Sequence, residues 1–415
     1  MGFDAREFTP QSVLRITITA SEVRSVQRAE KVLREAVNID VSDNTVLRII
    51  GDVGHELAER RDAAPSSANA LAIRPENVPE LAVVECDGGR IRTREMGRGP
   101  GVHLSETGWR EDKNACLIRA TRQTFVDDPQ PEPPGCFCDP KHVAQIAETE
   151  ALSIAAPVPA APADESRSDD PLATPTAPPT DDWRPQRQVR TVLSSLADAK
   201  TFGRQMHREA KRRRFFEATA KAFLGDGLPW NWSIWKRHFS DFVPILDFIH
   251  PLSYLFVAAK ALHPAAEDAW SQYLVWMRGC WQGDVAQVLE ELRAAQSRLG
   301  EAPPDASDSD PRRILTKTIT YLDHNRDRMK YPDYRRAGLP VTTAWMESLV
   351  KEINLRVKGT EMFWNNPTGA EAILQVRAAA LSDDNRLHAH LQTRRGSPFT
   401  RQPKPRKLSN EKIKS

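Results

Sequence analysis

Residues 152–182 constrain this chain more than any other stretch, because "IAAPVPAAPADESRSDDPLATPTAPPTDD" cannot build a core. Alanine, proline and aspartate alternate there without a helical or strand period, so the segment reads as a disordered linker or an insertion. The 415-residue chain must therefore make its core from the parts on either side. That length suffices for two or three domains, or for one large core with insertions.

On the N-terminal side, Leu81 to Cys86 read as a buried strand. Asp87-Gly88-Gly89 then read as a tight turn into a second strand, and "NACLIRATRQTF" as a third. Earlier still, Val26, Ala29, Val32 and Leu33 recur at helical spacing, and Val46, Ile49, Ile50 and Val53 resume it after a polar break. Ser42 to Asn44 supply N-cap chemistry for that second helix. A helix-turn-helix would place Asn44, Thr45 and Arg48 at the reading end, although helical hairpins that touch no DNA look the same.

Beyond the linker the chain turns basic. "FGRQMHREAKRRRFFEATAKAF" predicts a helix carrying Lys211, Arg212, Arg213 and Arg214, followed by a strand that ends at Asp226. "FVPILDFIHPLSYLFVAAKAL" predicts a second apolar strand ending near Asp247 and running into a helix. Residues 265–300 and 312–328 are helical by pattern, separated by a polar break at 301–311. In "GLPVTTAWMESLVKEINLRVKG", Trp345, Leu349 and Ile353 mark a further helix.

The composition, 40% hydrophobic and 27% charged with a net charge of +2, fits a soluble globular protein with unevenly distributed charge. No apolar run reaches about 18 residues and the N-terminus has no apolar signal core, so the expected place is the cytoplasm, with no membrane. Five cysteines with scattered spacing make no disulfide framework. Cys136, Cys138 and His142 in "GCFCDPKH" lack the paired spacing of a zinc site, and an ordinary loop is the simpler reading.

Two acids occupy similar places, since Asp87 and Asp226 each end an apolar run beside glycine; a third, Glu347, lies on a helix with apolar neighbours. Asp-Gly is a common turn dipeptide, so each aspartate alone reads as a turn residue, and a general acid/base pair is open on spacing. Three converging carboxylates need a positive partner, and magnesium takes oxygen ligands of this kind. Trp230, Trp232 and Trp235 read as core packing in preference to base-stacking platforms.

The set "DGGRIRTRE", "FLGDGLPWNW", "ILDFIH", "NRDRMKYPDYRRAGLPVTTAWMES" and "RVKGTEMFWNNPTGAEAILQVRAAALS" resembles the Kra group of bacterial insertion-sequence transposases. These are Mutator-like DDE enzymes with a ribonuclease-H-like core, and the resemblance runs in family order from about residue 20 to 385. It implies catalytic, metal-holding roles for Asp87, Asp226 and Glu347, with Asp247 and His250 matching a signature after the second acid; His250 either assists catalysis or is a structural histidine bonded to Asp247. It also implies a Mg2+ cofactor, with Mn2+ as a substitute, and duplex DNA as partner, with Arg356 and Lys358 contacting the DNA or orienting the glutamate's helix. The helix-turn-helix adds Arg48 and the basic run adds Arg212 and Arg213 as DNA contacts, a solvated charged helix face being the alternative for the run. Where the family has a small Ser/Gly-rich turn before the glutamate, this chain has Thr342, Thr343, Ala344 and Trp345.

The expected fold is α/β, a ribonuclease-H-like mixed sheet with flanking helices and a helical insertion before the last acid. The expected divisions are a helix-turn-helix-like unit at 1–66 and a first core part at 67–151, then the linker at 152–185 and a second core part at 186–254. A helical insertion at 255–335, C-terminal core helices at 336–385 and a basic disordered tail at 386–415 complete it. The implied activity is hydrolysis at element ends and strand transfer by a homo-oligomer on DNA in the bacterial nucleoid. The rivals are a catalytically inactive or recruited DNA-binding derivative and a nuclease of the same fold.

Overall fold

The computed structural model describes residues 8–63, 77–93, 109–154, 183–358 and 363–394. The linker expected at 152–185 and the tail expected at 386–415 lie mostly outside these residues. The chain opens with α1 (Pro10–Glu22), α2 (Val26–Ala36) and α3 (Asp43–Asp62), then β1 (Leu81–Arg92), β2 (Trp109–Thr121), α4 (Pro140–Ile154) and β3 (Gln186–Ser195). There follow α5 (Ala199–Arg212), β4 (Ala220–Gly225), α6 (Pro229–His238), β5 (Val243–Leu246), α7 (Ile249–Leu262) and α8 (Ala266–Trp281). The last elements are α9 (Val285–Leu299), α10 (Pro311–Asn325), α11 (Tyr331–Arg336), α12 (Ala344–Val357), α13 (Pro367–Ala380) and α14 (Arg386–Gln392).

Two compact units result, one of Met1–Ile73 with Thr368–Ser415 and one of Arg74–Pro367. In the first, Thr9, Ser25 and Ser42 cap α1, α2 and α3 by accepting from backbone N–H groups three residues on. The apolar period of α3 is the buried face, with Val46, Ile49, Ile50, Val53 and Leu57 inside. Gly54 lets α13 lie against α3, since a Cβ there would stand 2.2 Å from the Ala372 carbonyl oxygen. Arg61 bridges to Glu371 at 2.7 Å, and Arg377 to Glu22. The stretch 336–385, read from sequence as one segment of the core, is thus shared between the units.

The second unit holds a five-stranded mixed sheet in the order β3-β2-β1-β4-β5. β1 pairs antiparallel with β2 and parallel with β4; β2 pairs antiparallel with β3 and β4 parallel with β5. Side chains alternate across a strand, so Ala82, Val84 and Cys86 face α5 and join Phe202, Met206 and Phe223 in one apolar cluster. The other face, with Glu85 and Cys116, is covered by α12. The three tryptophans of α6 pack partly buried against the apolar cluster, as the sequence reading expected.

Three local expectations change. Asp87-Gly88-Gly89 is no turn, because β1 runs unbroken to Arg92 and pairs with β2 as far as Trp109. Gly89 is required there for another reason: a Cβ would stand 2.7 Å from the carboxylate oxygens of Asp112 on β2. β3 was not foreseen, its first three residues being exposed and polar. The stretch around Cys136 and Cys138 is a short 3-10 turn leading into α4, not an open loop.

Candidate active site

The parallel register decides where the acids meet. Glu85 pairs with Leu224, so two residues further the same register carries Asp87 of β1 beside Asp226 after β4. Gly225 pairs with Leu246, so the next step carries Asp226 beside Asp247, and the Asp247 N–H donates to the Gly225 carbonyl at 3.0 Å. Neighbouring strands lie about 4.8 Å apart. Asp226 and Asp247 therefore follow the carboxyl ends of β4 and β5, where α/β sheets bind ligands, and Asp87 lies within β1 just past its parallel pairing with β4.

The glycines around Asp226 now have a physical account. A Cβ on Gly225 would press on Asn231 at 3.0 Å, and Gly227 has φ +96 with Tyr321 only 2.7 Å from where its Cβ would be. The Tyr321 hydroxyl donates to the Asp226 carbonyl oxygen at 2.8 Å, closing the turn from α10. Asp226 Oδ1 accepts from the Leu228 N–H at 2.8 Å and from Asn231 Nδ2. Turn and presentation are thus one arrangement, in which both of these bonds go to Oδ1 of a half-buried carboxyl. Asp87, also half-buried, accepts from the Gly88 N–H at 2.6 Å.

Asp247 is wholly buried and anchors the helix of Glu347. Its oxygens accept from the Thr343 N–H at 3.0 Å, the Thr343 hydroxyl at 2.9 Å and the Ile249 N–H at 3.4 Å. Nδ1 of His250 lies 2.8 Å from Oδ2, the oxygen that also accepts from the Thr343 hydroxyl, so His250 is held by Asp247. Thr343 is the N-cap of α12, and its carbonyl accepts the Glu347 N–H at 2.9 Å. Thr343 is therefore what Asp247 grips. Glu347 itself is half-buried in the first turn of α12.

Two acids were missed by sequence reading. Glu85 is wholly buried, and no side chain donates to its carboxyl oxygens. Burial, and then the charge of Asp247, push its acid well above the usual carboxylate range, with the Met346 backbone N–H pulling the other way and the charge of Glu347 adding to the rise. A lone acid inside the apolar run "LAVVEC" was the available signal. Asp112 is also buried, with Oδ2 accepting from Asn114 Nδ2 at 2.8 Å and Oδ1 unpartnered. Burial raises its acid too, against the nearby charge of Lys358.

The expected DNA-contacting cations divide. Arg48 on α3 and Lys358 after α12 are exposed. Arg212 and Arg213 are instead buried, bonded to the buried carboxylate of Glu209 at 3.2 and 3.0 Å, so burial turns them into structural ion pairs and not surface cations. Arg356 is likewise buried, its guanidinium 5.3 Å from the Trp364 ring centroid. Among the described residues no group of three or more His, Cys, Asp or Glu side chains stands together as a metal-ligand set, neither Asp87, Asp226 and Glu347 nor the Cys136–His142 stretch. No helix among them is long and apolar enough to cross a membrane.

A second tie holds α12. Buried Arg190 on β3 makes a two-pronged pair with Glu352, at 3.2 and 3.3 Å, five residues past Glu347. Removing Arg190 loses the packing of a buried guanidinium and leaves the half-buried Glu352 unpaired by it. Arg190→Ala should therefore lower stability by about 2 kcal/mol, and the double variant Arg190→Met with Glu352→Leu should recover most of it. Urea denaturation of the three chains checks this, and equal midpoints for the wild type and Arg190→Ala would remove the tie.

No family profile matches the chain, and no curated protein does. The structure is similar to a chain of the Drosophila P element transposase strand transfer complex, over 92% of this chain and 93% of that one. The sequence identity is 8% and the TM-score 0.35, a likeness too distant to bear on function.

Proposed function

We propose that this chain is a DDE transposase of the Kra insertion-sequence group with a ribonuclease-H-like core, acting on duplex DNA. The observation that carries the reading is the register that sets Asp87, within β1, beside Asp226 at the end of β4, with Asp247 next to Asp226 gripping the helix of Glu347. The motif resemblance names Asp87, Asp226 and Glu347 independently of that register.

The donor set is carboxylate oxygen, which suits Mg2+ or Mn2+ and not a soft metal. Asp87, Asp226 and Glu347 would hold the cation, which when bound neutralises charge gathering on the phosphoryl oxygens. The rest is positioning. A water oxygen forms a bond to phosphorus at the element end, the bond from phosphorus to the 3' oxygen breaks, and a free 3'-hydroxyl remains. That hydroxyl then attacks a target phosphodiester and one phosphodiester replaces another, with no oxidant or reductant. Glu85, wholly buried two residues before Asp87 on β1, has its acid raised well above the usual carboxylate range by burial. Two element ends have to meet, so a homo-oligomer on DNA is proposed, in the cytoplasm.

The test is strand cleavage and joining on duplexes that carry the element's own flanking ends, with Mg2+ or Mn2+. Joined product supports the transposase. Cleavage without joining makes the chain a nuclease, and end binding without cleavage makes it a DNA-binding derivative.

A further inference from the structure

The outer side of α5 and α6 carries charge that the proposed active site does not use. Lys200, Arg204 and Lys211 are exposed on α5 at positions i, i+4 and i+11, with half-buried His207 at i+7 between them. That spacing is one face of a helix. Lys236 and Arg237 are exposed in the last turn of the neighbouring α6.

The two helices form one continuous surface. Gly203 leaves room for His238, since a Cβ would stand 2.9 Å from its ring. His207 Nδ1 lies 3.2 Å from the His238 carbonyl oxygen, and the two rings are 5.4 Å apart. Burial pushes His238 down to about 4, and the charges of His207, Arg237 and Arg204 push in the same direction, so cations from both helices act on one imidazole.

Of the acids nearby, three are paired with other cations, and Asp198 also feels the charge of Arg204. Glu209 is buried on Arg212 and Arg213, Glu217 pairs with Arg214, and Asp241 pairs with Lys221 at 2.7 Å. Asp198 caps α5 by accepting the Thr201 N–H at 2.7 Å. Arg204 donates to the Thr201 hydroxyl at 3.0 Å. None of the five exposed cations has an ion-pair partner among the described residues. With a net charge of +2 over the whole chain, this concentration is local and not a reflection of general basicity.

The chemistry favours a polyanionic backbone. From Lys200 to Lys211 a helix rises about 16 Å, which is the axial rise of about five phosphates on one DNA strand. The exposed large apolar side chains of the described residues include none on α5, and Leu228 lies at the far end of α6, so the surface offers a membrane no apolar anchor.

We propose that the outer surface of α5 and α6 docks the phosphate backbone of duplex DNA through Lys200, Arg204, Lys211, Lys236 and Arg237. It lies on the sheet face opposite α12 and so is a surface separate from the strand-end acids. Binding there needs no metal and reads no sequence. In a transposase it would hold duplex flanking the strand being cut, or the target.

The experiment uses the full chain and a fluorescein-labelled 30-base-pair duplex of arbitrary sequence, in EDTA, with anisotropy read across a series of KCl concentrations. The triple variant Arg204→Glu, Lys211→Glu, Arg237→Glu should bind at least about tenfold more weakly, with the slope of log K against log salt reduced by about two to three. The corresponding triple alanine variant should lower the slope in the same direction with an unchanged thermal midpoint. Asp226→Asn should bind like the wild type, so failure of the hydrolytic reading leaves this test intact. A wild-type slope in both triple variants overturns the proposal, as does loss of all binding on Arg48→Glu alone. Equal or tighter binding to vesicles containing phosphatidylserine would assign the surface to a membrane instead.

Discussion

Asp226→Asn should lower metal-dependent strand cleavage by about a thousandfold or more while the chain keeps its fold. The substitution is nearly isosteric. An asparagine oxygen can still accept from the Leu228 N–H and from Asn231, so the turn beneath Tyr321 stays closed. Only the charge goes, and charge is what a cation at the strand ends would need. Initial rates of nicking, read beside the thermal midpoint, separate the two effects. A rate within tenfold of the wild type would show that the acid between the glycines is a turn residue and nothing more.

Asp247→Ala should produce the largest loss of stability, about 3 kcal/mol or more. It leaves the Thr343 N–H, the Thr343 hydroxyl and the His250 ring without their shared acceptor in a buried site. The start of α12 then has nothing to hold it, and Glu347 one turn on loses its place. Asp247→Asn keeps an acceptor oxygen and should fall between the two. Urea midpoints at pH 7 read the difference, and an unchanged midpoint in the alanine variant would contradict the anchoring role.

What could be read from sequence was local. The apolar periods of α3 and α12 and the apolar runs of β1, β4 and β5 stand in the residues themselves, because each element buries its own face. Asp226 was singled out correctly as the end of a strand. What failed depended on partners far along the chain. Gly88 and Gly89 looked like a turn, since the carboxylate that demands a glycine at 89 comes from Asp112 on another strand. Arg212 and Arg213 looked like a basic run, and the buried Glu209 one turn back makes them interior. The exposed cations of that helix come before them, at Arg204 and Lys211. Asp247 meets Thr343 across 96 residues, a tie no spacing rule reaches.

The central claim is that the strand-end acids bind a divalent cation. The most direct test is Mn2+ binding to the full chain without DNA, followed by the electron paramagnetic resonance signal of free Mn2+. Wild type should take up Mn2+, and Asp87→Asn and Asp226→Asn should each weaken binding by tenfold or more, with Arg204→Glu as an unaffected control. Equal uptake by all four chains, or none by any, would contradict the account.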